Sequence, residues 1–449
     1  MDSANTEDGY QVVIVGAGPS GLALAIELGG RNVPCLLVER NERAGWAPRA
    51  KTTHTRTREH MRRWGIADKL ADASPFGIDY PTHINFVTKL AGPGITRFEH
   101  ALNCDPVRDE RYAEHGQWIP QYKLEAVLLE HARTIPSVTI DFGQEFVSFE
   151  QDDRAVRVRV RDVATDAERV IEADYLVGAD GARSAVRDSI GATMTGKYGL
   201  SRNYNTIFRA PGLDAAHAHG PAIMYWQLNE DVPSIIGPMD EGDLWFFMPT
   251  AVPADLTYEG DGIVEVIRRA TGIDCNYSVL SSDEWVASRL IADRYRLGRV
   301  FLTGDACHLH PPFGGYGMNM GVADSVDLGW KLAARLQGWG GAALLETYEE
   351  ERRPAHEFVL HEAETNHSFL PNRLLKAGIS DDTRAGREIR TEVAALIEAT
   401  KRNEFYSPGV MLGYRYEGSP IIAYDEAGDA WTWTRDYVPS SAPGCRAPL

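Results

Sequence analysis

The sequence predicts an α/β protein whose parallel sheet is assembled from three separated stretches. Mainly antiparallel β segments are inserted between them, and a helical segment ends the chain. Three observations predict this. Val12–Val15 is a continuous β-branched run that enters a glycine-rich turn and then an Ala- and Leu-rich helix, the pattern of a strand buried on both faces followed by its crossover. The same buried-strand signal returns in "ADYLVGADG" (173–181) and "RVFLTGD" (299–305). Between them, residues 200–290 carry aromatic strands such as "AIMYWQL" and "DLWFFMP", which read as antiparallel sheet.

Taken in order, the first helix shows Leu22, Ile26 and Leu28 on its apolar side and ends near Gly29–Gly30. "CLLVE" (35–39) is the second strand. A basic, Trp-containing helix is expected from Ala47 to about Leu70, then strands and turns over 75–115, and a helix over Lys123–Arg133. Two alternating strands follow in "EFVSFEQDDRAVRVRVRDV" (145–163), and long helices run from Ala323 to about Glu364. The expected domains are therefore a discontinuous α/β unit (1–74, 116–190 and 291–365), an inserted sheet domain (75–115 and 191–290), and a C-terminal helical segment and tail (366–449).

Composition narrows the function. A chain of 449 residues with 43% hydrophobic and 24% charged residues is an ordinary globular protein of two or three domains. Its net charge of −18 argues against a nucleic-acid partner, which needs clustered Lys and Arg. The most apolar early segment, Val12–Leu28, is broken by Gly16, Gly18, Pro19 and Gly21, so no membrane span is expected. The five scattered cysteines contain no CxxC pair, which fits reduced thiols in a cytoplasm.

Gly16-Ala-Gly18-Pro-Ser-Gly21 follows a predicted strand and opens a helix, as a Rossmann-like dinucleotide site requires. The first glycine makes the tight turn, the second admits a pyrophosphate, and the third lets helix and strand pack closely. The helix start then presents free N–H groups to the phosphates. Glu39, at the end of the second strand, is placed to accept ribose hydroxyls. The blander alternative is a glycine-rich turn without a nucleotide.

Two later motifs, Asp180-Gly-Ala-Arg-Ser184-Ala-Val-Arg187 and Gly304-Asp305, stand with this fingerprint in a fixed order. Together they resemble the class A, single-component flavoprotein aromatic hydroxylases, the family of para-hydroxybenzoate hydroxylase and phenol hydroxylase. The resemblance runs from about Gln11 to Glu364 and is closer to the phenol and polyketide hydroxylase branch. "PRAKTTHTRTREHMRRWG", "IPQYKLEAVL" and "LLETYEEERRP" add further matches.

The resemblance implies FAD as cofactor and NAD(P)H as a transient co-substrate, consistent with the lack of a second GxGxxG in the sequence. It assigns Asp305 to a ribityl hydroxyl, and Arg49 and Gln121 to the pyrophosphate or ribityl region. Arg40 would neighbour the adenosine, backbone at Val147 would meet the adenine, and Asp180 would link the FAD and NAD(P)H sites. In "GDACHLHPPFGGYGMNMG" (304–321), the turn with Gly314, Gly315, Gly317, Met318 and Asn319 would bring N–H groups to the flavin pyrimidine edge, and the Pro312 carbonyl would face the substrate. A metal reading of Cys307, His308 and His310 is set aside, because neighbouring residues point in different directions and no second ligand cluster stands out.

The implied reaction is hydroxylation of a phenolic or polycyclic aromatic by O2 and NAD(P)H through a flavin C4a-hydroperoxide. Lys51 falls where the phenol hydroxylase branch places an acid or histidine. It is the candidate to steady a phenolate, against the alternative of an exposed cation. Tyr225 is the candidate on the pocket wall, against the alternative of core packing. A flavin-dependent halogenase and a non-hydroxylating FAD-binding scaffold are the rival functions. "AWTWTRD" (430–436) lacks the Ile-Pro of the halogenase signature and lies far from its place. The partners expected are a small aromatic and O2, with room for a homodimer. "YVPSSAPGCRAPL" (437–449) resembles the entry to a thioredoxin-like third domain, so the chain reads as a short member or one cut before that domain.

Overall fold

The computed structural model describes residues 9–42, 50–107, 109–250, 252–253, 257, 262–424 and 433–448. The molecule is mixed α/β, with a parallel sheet, a larger mainly antiparallel sheet and a helical C-terminal region. The first strand, Val12–Val15, is buried at every position. It lies between Cys35–Glu39 and Tyr175–Gly178, parallel to both, with Ile14 opposite Leu37 and Val177. Val138–Phe142 and Val300–Leu302 extend the sheet on either side, and Arg296–Leu297 closes one edge as an antiparallel hairpin. Burial of both faces explains why these strands read as unbroken apolar runs.

The inserted segments meet in one eight-stranded sheet. His308–Leu309 edges Ser278–Ala292, which forms the longest pair with Met194–Arg209, followed by Leu244–Pro249, Ser234–Asp240, Met224–Gln227, Ile84–Val87 and Gly94–Phe98. Met224–Gln227 runs parallel to Ile84–Val87, so the early and late insertions are joined by backbone pairing. A third sheet has three strands, Gln144–Gln151, Val156–Asp162 and Glu168–Ala173.

Two boundaries differ from expectation. Where one helix is expected from Ala47 to Leu70, Thr52–Thr53 pairs with Gln117–Trp118 as a short ribbon. Helices then run over Thr55–Arg63 and Ala67–Asp72, separated at Gly65, which has φ of +75°. The long helix expected from Ala323 begins earlier, spanning Tyr316–Leu336, because the glycines that look like loop supply its first turn. A second helix, Thr347–His367, packs against it, and Arg384–Phe405 forms the main C-terminal helix. Among the described residues, no helix is long and apolar enough to cross a membrane.

Candidate active site

All three motifs lie at the carboxyl ends of neighbouring parallel strands, where ligands bind in open α/β sheets. The loops after Val15, Gly178 and Leu302 are joined by backbone bonds. Gly16 N–H donates to Val38, Ala179 N–H to Val15, and Thr303 N–H to Gly178, at 2.8, 2.8 and 2.9 Å. Gly16 has φ of +107°, and a Cβ there would lie 2.4 Å from the Ala179 carbonyl oxygen. Ser20 Oγ fills the space between Gly304 and Gly321, lying 2.4 Å from where a Cβ on either would stand. Fingerprint, Gly304-Asp305 turn and long helix are thereby fitted into one block.

The cradle fits a dinucleotide. A Cβ on Gly18 would meet nothing within 4 Å, so the second glycine faces open space at the start of the Pro19–Gly29 helix. Glu39 reaches back to that loop and accepts the Ala17 N–H at 3.0 Å and the Asn41 N–H at 3.0 Å. Arg40 is exposed beside it. Val147 lies at a step in the strand ladder between Phe146 and Ser148, so pairing skips it. Arg49 lies outside the described residues.

The Asp180 motif is largely self-contained. Ser184 Oγ donates to Asp180 at 2.5 Å, the Val186 N–H donates to the same carboxylate at 3.1 Å, and Ser184 caps the Ala185–Ser189 helix through the Arg187 N–H. Burial raises the Asp180 carboxyl above its ordinary value against these bonds. Arg187 is buried and donates to the Ala182 carbonyl at 3.0 Å, which ties its guanidinium to the loop. Ser184→Ala is expected to cost about 1 kcal/mol, the worth of a helix cap, measured as a lower unfolding free energy in urea.

The stretch from Pro311 to Asn319 folds as a turn into a helix start. Gly314 and Gly315 have φ of +94° and +69°, conformations that favour glycine. The Gly315 N–H donates to the Pro312 carbonyl at 3.1 Å. The N–H groups of Tyr316, Gly317 and Met318 occupy the first helical turn, which has no intrahelical acceptors. That end of the helix attracts anionic character. Asp305 sits half-buried in the neighbouring Gly304–Ala306 turn.

Asn319 is fully buried and its side chain is spent on the fold. Its carbonyl accepts from the His54 N–H (2.8 Å) and Thr57 Oγ1 (2.7 Å), while its amide donates to the Thr52 and Gly315 carbonyls (3.0 and 2.7 Å). Gln121 is also a tie, accepting the Ala50 N–H at 3.0 Å and donating to Glu125 at 2.7 Å. Asn319 thereby joins the strip at Thr52–His54 to the glycine turn, and Gln121 ties its Ala50 end to the Gln121–Arg133 helix.

Lys51 lies on that strip. Its ammonium stands 4.1 Å from the Phe246 ring centroid, and burial brings its pKa down to about 8. Among the described residues it has no carboxylate partner. Phe246, Trp118, Trp226 and Phe313 belong to one buried apolar cluster, and Lys51 meets the face of that cluster at Phe246.

Tyr225 is not on that face. Strand alternation sends it into a separate cluster with Trp245 and the Gly262–Thr271 helix, and its hydroxyl donates to the Gly220 carbonyl at 2.6 Å. Its neighbour Trp226 packs on Phe313 instead, with ring centroids 6.0 Å apart. The pocket-wall expectation for Tyr225 is corrected to core packing, because adjacent strand residues face opposite ways.

Sequence reasoning also missed Asp324. It lies one turn beyond Gly321 on the long helix, fully buried, and binds His308 (2.6 Å), His356 (2.7 Å), Arg352 (2.7 Å) and the Gly304 N–H (3.2 Å). Burial opposes its charge, yet His356 and Arg352 hold the carboxyl well below the usual range. Cys307, His308 and Asp324 bring ligand-type atoms within 4.8 Å of one another. The trio is a poor metal site, because the Asp324 oxygens are already engaged and a guanidinium lies against them. Burial also raises the Cys307 thiol, which donates to the Gly304 carbonyl at 3.3 Å.

Comparison with known proteins agrees with this geometry. The FAD binding domain family matches residues 9–363. Tetracenomycin B2 monooxygenase-dioxygenase of Streptomyces olivaceus is 32% identical over 426 residues, covering 92% of this chain and 74% of its own. Phenol 2-monooxygenase of Pseudomonas sp. (strain EST1001) is 31% identical over 468 residues, covering 98% and 75%. Among solved structures, the flavin-dependent monooxygenase PieE in complex with FAD and substrate superposes with a TM-score of 0.88 at 30% identity, covering 99% of this chain and 81% of that one. The rebeccamycin biosynthetic enzyme RebC with reduced flavin gives a TM-score of 0.88 at 35% identity, covering 98% and 81%. With three motifs on adjacent strand ends, a glycine cradle that admits a dinucleotide and these relatives, the chain belongs to the FAD binding domain family and, within it, to the class A flavoprotein aromatic hydroxylases.

Proposed function

We propose that this FAD-dependent monooxygenase hydroxylates a fused-ring phenol, and that Lys51 holds the substrate oxygen as a phenolate. In the overall reaction one oxygen atom of O2 enters the ring, the other leaves as water, and NAD(P)H is oxidised to NAD(P)+. Bound FAD supplies the electron transfer and oxygen activation for which protein side chains have no equivalent. The Gly16–Gly21 turn and Glu39 would hold its adenosine diphosphate part, and Asp305 with the Tyr316–Met318 N–H groups its ribityl and pyrimidine part.

The observation that carries the substrate reading is the Lys51 ammonium. It lies over Phe246 on an aromatic face, without a carboxylate partner among the described residues. A desolvated cation attracts an anionic oxygen strongly, and a phenolate is a better nucleophile toward activated oxygen than a phenol. Relatives named for tetracenomycin and aklavinone chemistry support the fused-ring class.

Lys51→Met is expected to lower the hydroxylation kcat/KM for a phenol by about tenfold to a hundredfold, the worth of one positioned charge. With a pKa of about 8, the ammonium is present below that pH and lost above it. The wild-type rate should therefore fall above about pH 8, and the Met variant should lack that limb. Product and NAD(P)H followed from about pH 6 to about pH 10 check this. A Met variant with the same alkaline limb and the same product yield would assign Lys51 no part in substrate activation.

A further inference from the structure

Gly314 and Gly315 lead into the Tyr316–Leu336 helix, and a side chain that holds them lies 260 positions earlier in the chain. Their φ values are +94° and +69°, so the peptide unit between them can turn over at little steric cost. Both of its ends are engaged. The Gly315 N–H donates to the Pro312 carbonyl at 3.1 Å, and His54 Nε2 donates to the Gly314 carbonyl at 2.7 Å. Because a peptide unit is planar, these two bonds together set its orientation. The next unit, which carries the Tyr316 N–H, is held through Asn319. Its amide donates to the Gly315 carbonyl at 2.7 Å, and its own carbonyl accepts the His54 main-chain N–H at 2.8 Å.

The chemistry of His54 suits a fixed donor. A carbonyl can only accept, so the ring proton sits on Nε2. Burial brings the imidazole pKa down to about 4, which keeps the ring neutral around pH 7. The residue is 3% exposed, and Nδ1 has no hydrogen-bond partner among the described residues. An unpartnered buried acceptor is a cost that an apolar side chain of similar size would avoid. What the imidazole adds at this position is the Nε2 bond. The ring also stacks on Tyr316, with centroids 5.6 Å apart and planes inclined by 13°. One residue therefore bears on Gly314, Tyr316 and Asn319 at once.

We propose that His54 is a positioning residue for the flavin site: its Nε2 donor keeps the Gly314–Gly315 peptide from turning over, and so holds the N–H groups of Tyr316, Gly317 and Met318 in place for the flavin pyrimidine edge. This rests on the reading of the glycine turn as the pyrimidine site, not on the choice of substrate.

Two variants separate positioning from packing. His54→Leu fills the site but removes the donor. His54→Gln keeps an amide N–H that reaches as far as Nε2. The full chain is compared by FAD titration, flavin midpoint potential, and deuterium uptake of the peptide spanning 311–320 without FAD. The Leu variant should bind FAD about tenfold more weakly, the effect of one lost buried hydrogen bond. Its midpoint should move to more negative potential, because fewer aligned N–H groups would meet the reduced, anionic flavin. Its 311–320 peptide should exchange faster. The Gln variant should return affinity and exchange to within about twofold of wild type and restore the potential.

A Leu variant with wild-type affinity, potential and exchange would reduce His54 to packing. A Gln variant as impaired as the Leu variant would remove the Gly314 bond as the route. Should the Leu variant not fold, His54→Asn takes its place, since its amide ends near the position of Nδ1 and falls short of Gly314. Asn impaired beside a Gln variant like wild type supports the proposal, and equal behaviour of the two amides overturns it. Wild-type protein that binds no FAD would defeat the flavin reading, and the exchange comparison would then decide the positioning claim by itself.

Discussion

Gly21→Ala is expected to yield a chain that retains no FAD through gel filtration and is less stable by about 3 kcal/mol, at the upper end of single-residue effects. A Cβ at this position would lie 1.9 Å from the Gly16 carbonyl oxygen and 3.1 Å from its carbon. The oxygen cannot swing aside. Gly16 is itself wedged under the Ala179 carbonyl, where a Cβ would come within 2.4 Å, and its N–H is bonded to Val38. Relief must come from sliding the Pro19–Gly29 helix outward, away from the strand it covers. That motion opens the apolar core and withdraws the helix-start N–H groups that would face the pyrophosphate at the proposed site.

Gly18→Ala is the matched control. Its Cβ would meet no protein atom within 4 Å, so urea unfolding without cofactor should match wild type while FAD binds more weakly, because the methyl would enter the space proposed for the pyrophosphate. An alanine at 18 that leaves FAD affinity unchanged would move the dinucleotide away from this turn.

The difference between those two glycines marks what the sequence could and could not disclose. That Gly16, Gly18 and Gly21 form a turn before a helix is local information, and so is the placement of Asp180 and Gly304-Asp305 after apolar strands. Their convergence follows from the parallel order of the strands, which the repeated apolar runs announce. Side-chain direction is less legible. Tyr225 and Trp226 are equally aromatic neighbours, and only the register of the 224–227 strand decides that Trp226 meets Phe313 while Tyr225 turns into the opposite core.

Asn319 was legible as part of the glycine-rich turn but not as a tie, because its partners Thr52, His54 and Thr57 lie more than 250 positions away. Asp324 carries no motif at all. It is one acid on a long helix, and nothing in composition separates an acid that enters the core from one that faces solvent.

Asp324→Ala is expected to destabilise the folded chain by about 3–5 kcal/mol, the cost of stranding a buried charge. Arg352 donates to Asp324 Oδ1 at 2.7 Å from a position with no solvent access, and without the carboxylate its guanidinium stays desolvated and uncompensated. His308 and His356 lose their acceptor in the same step, and so does the Gly304 N–H, which orients the turn bearing Asp305. FAD affinity should fall together with stability. Asp324→Asn keeps the shape but sets an amide N–H against donors on one side, so it should recover only part of the loss.

Acid separates the charge from the shape. The folded carboxyl of Asp324 is held well below its ordinary value, so its contribution is complete above the unfolded pKa of about 4 and is lost as pH falls through the folded value. Urea unfolding of wild type and Asp324→Asn should therefore show a gap that is constant near neutrality and narrows below about pH 4. A gap under about 1 kcal/mol at neutral pH, or one that holds its size into acid, would assign the stability of this block to packing around the helix rather than to the buried charge.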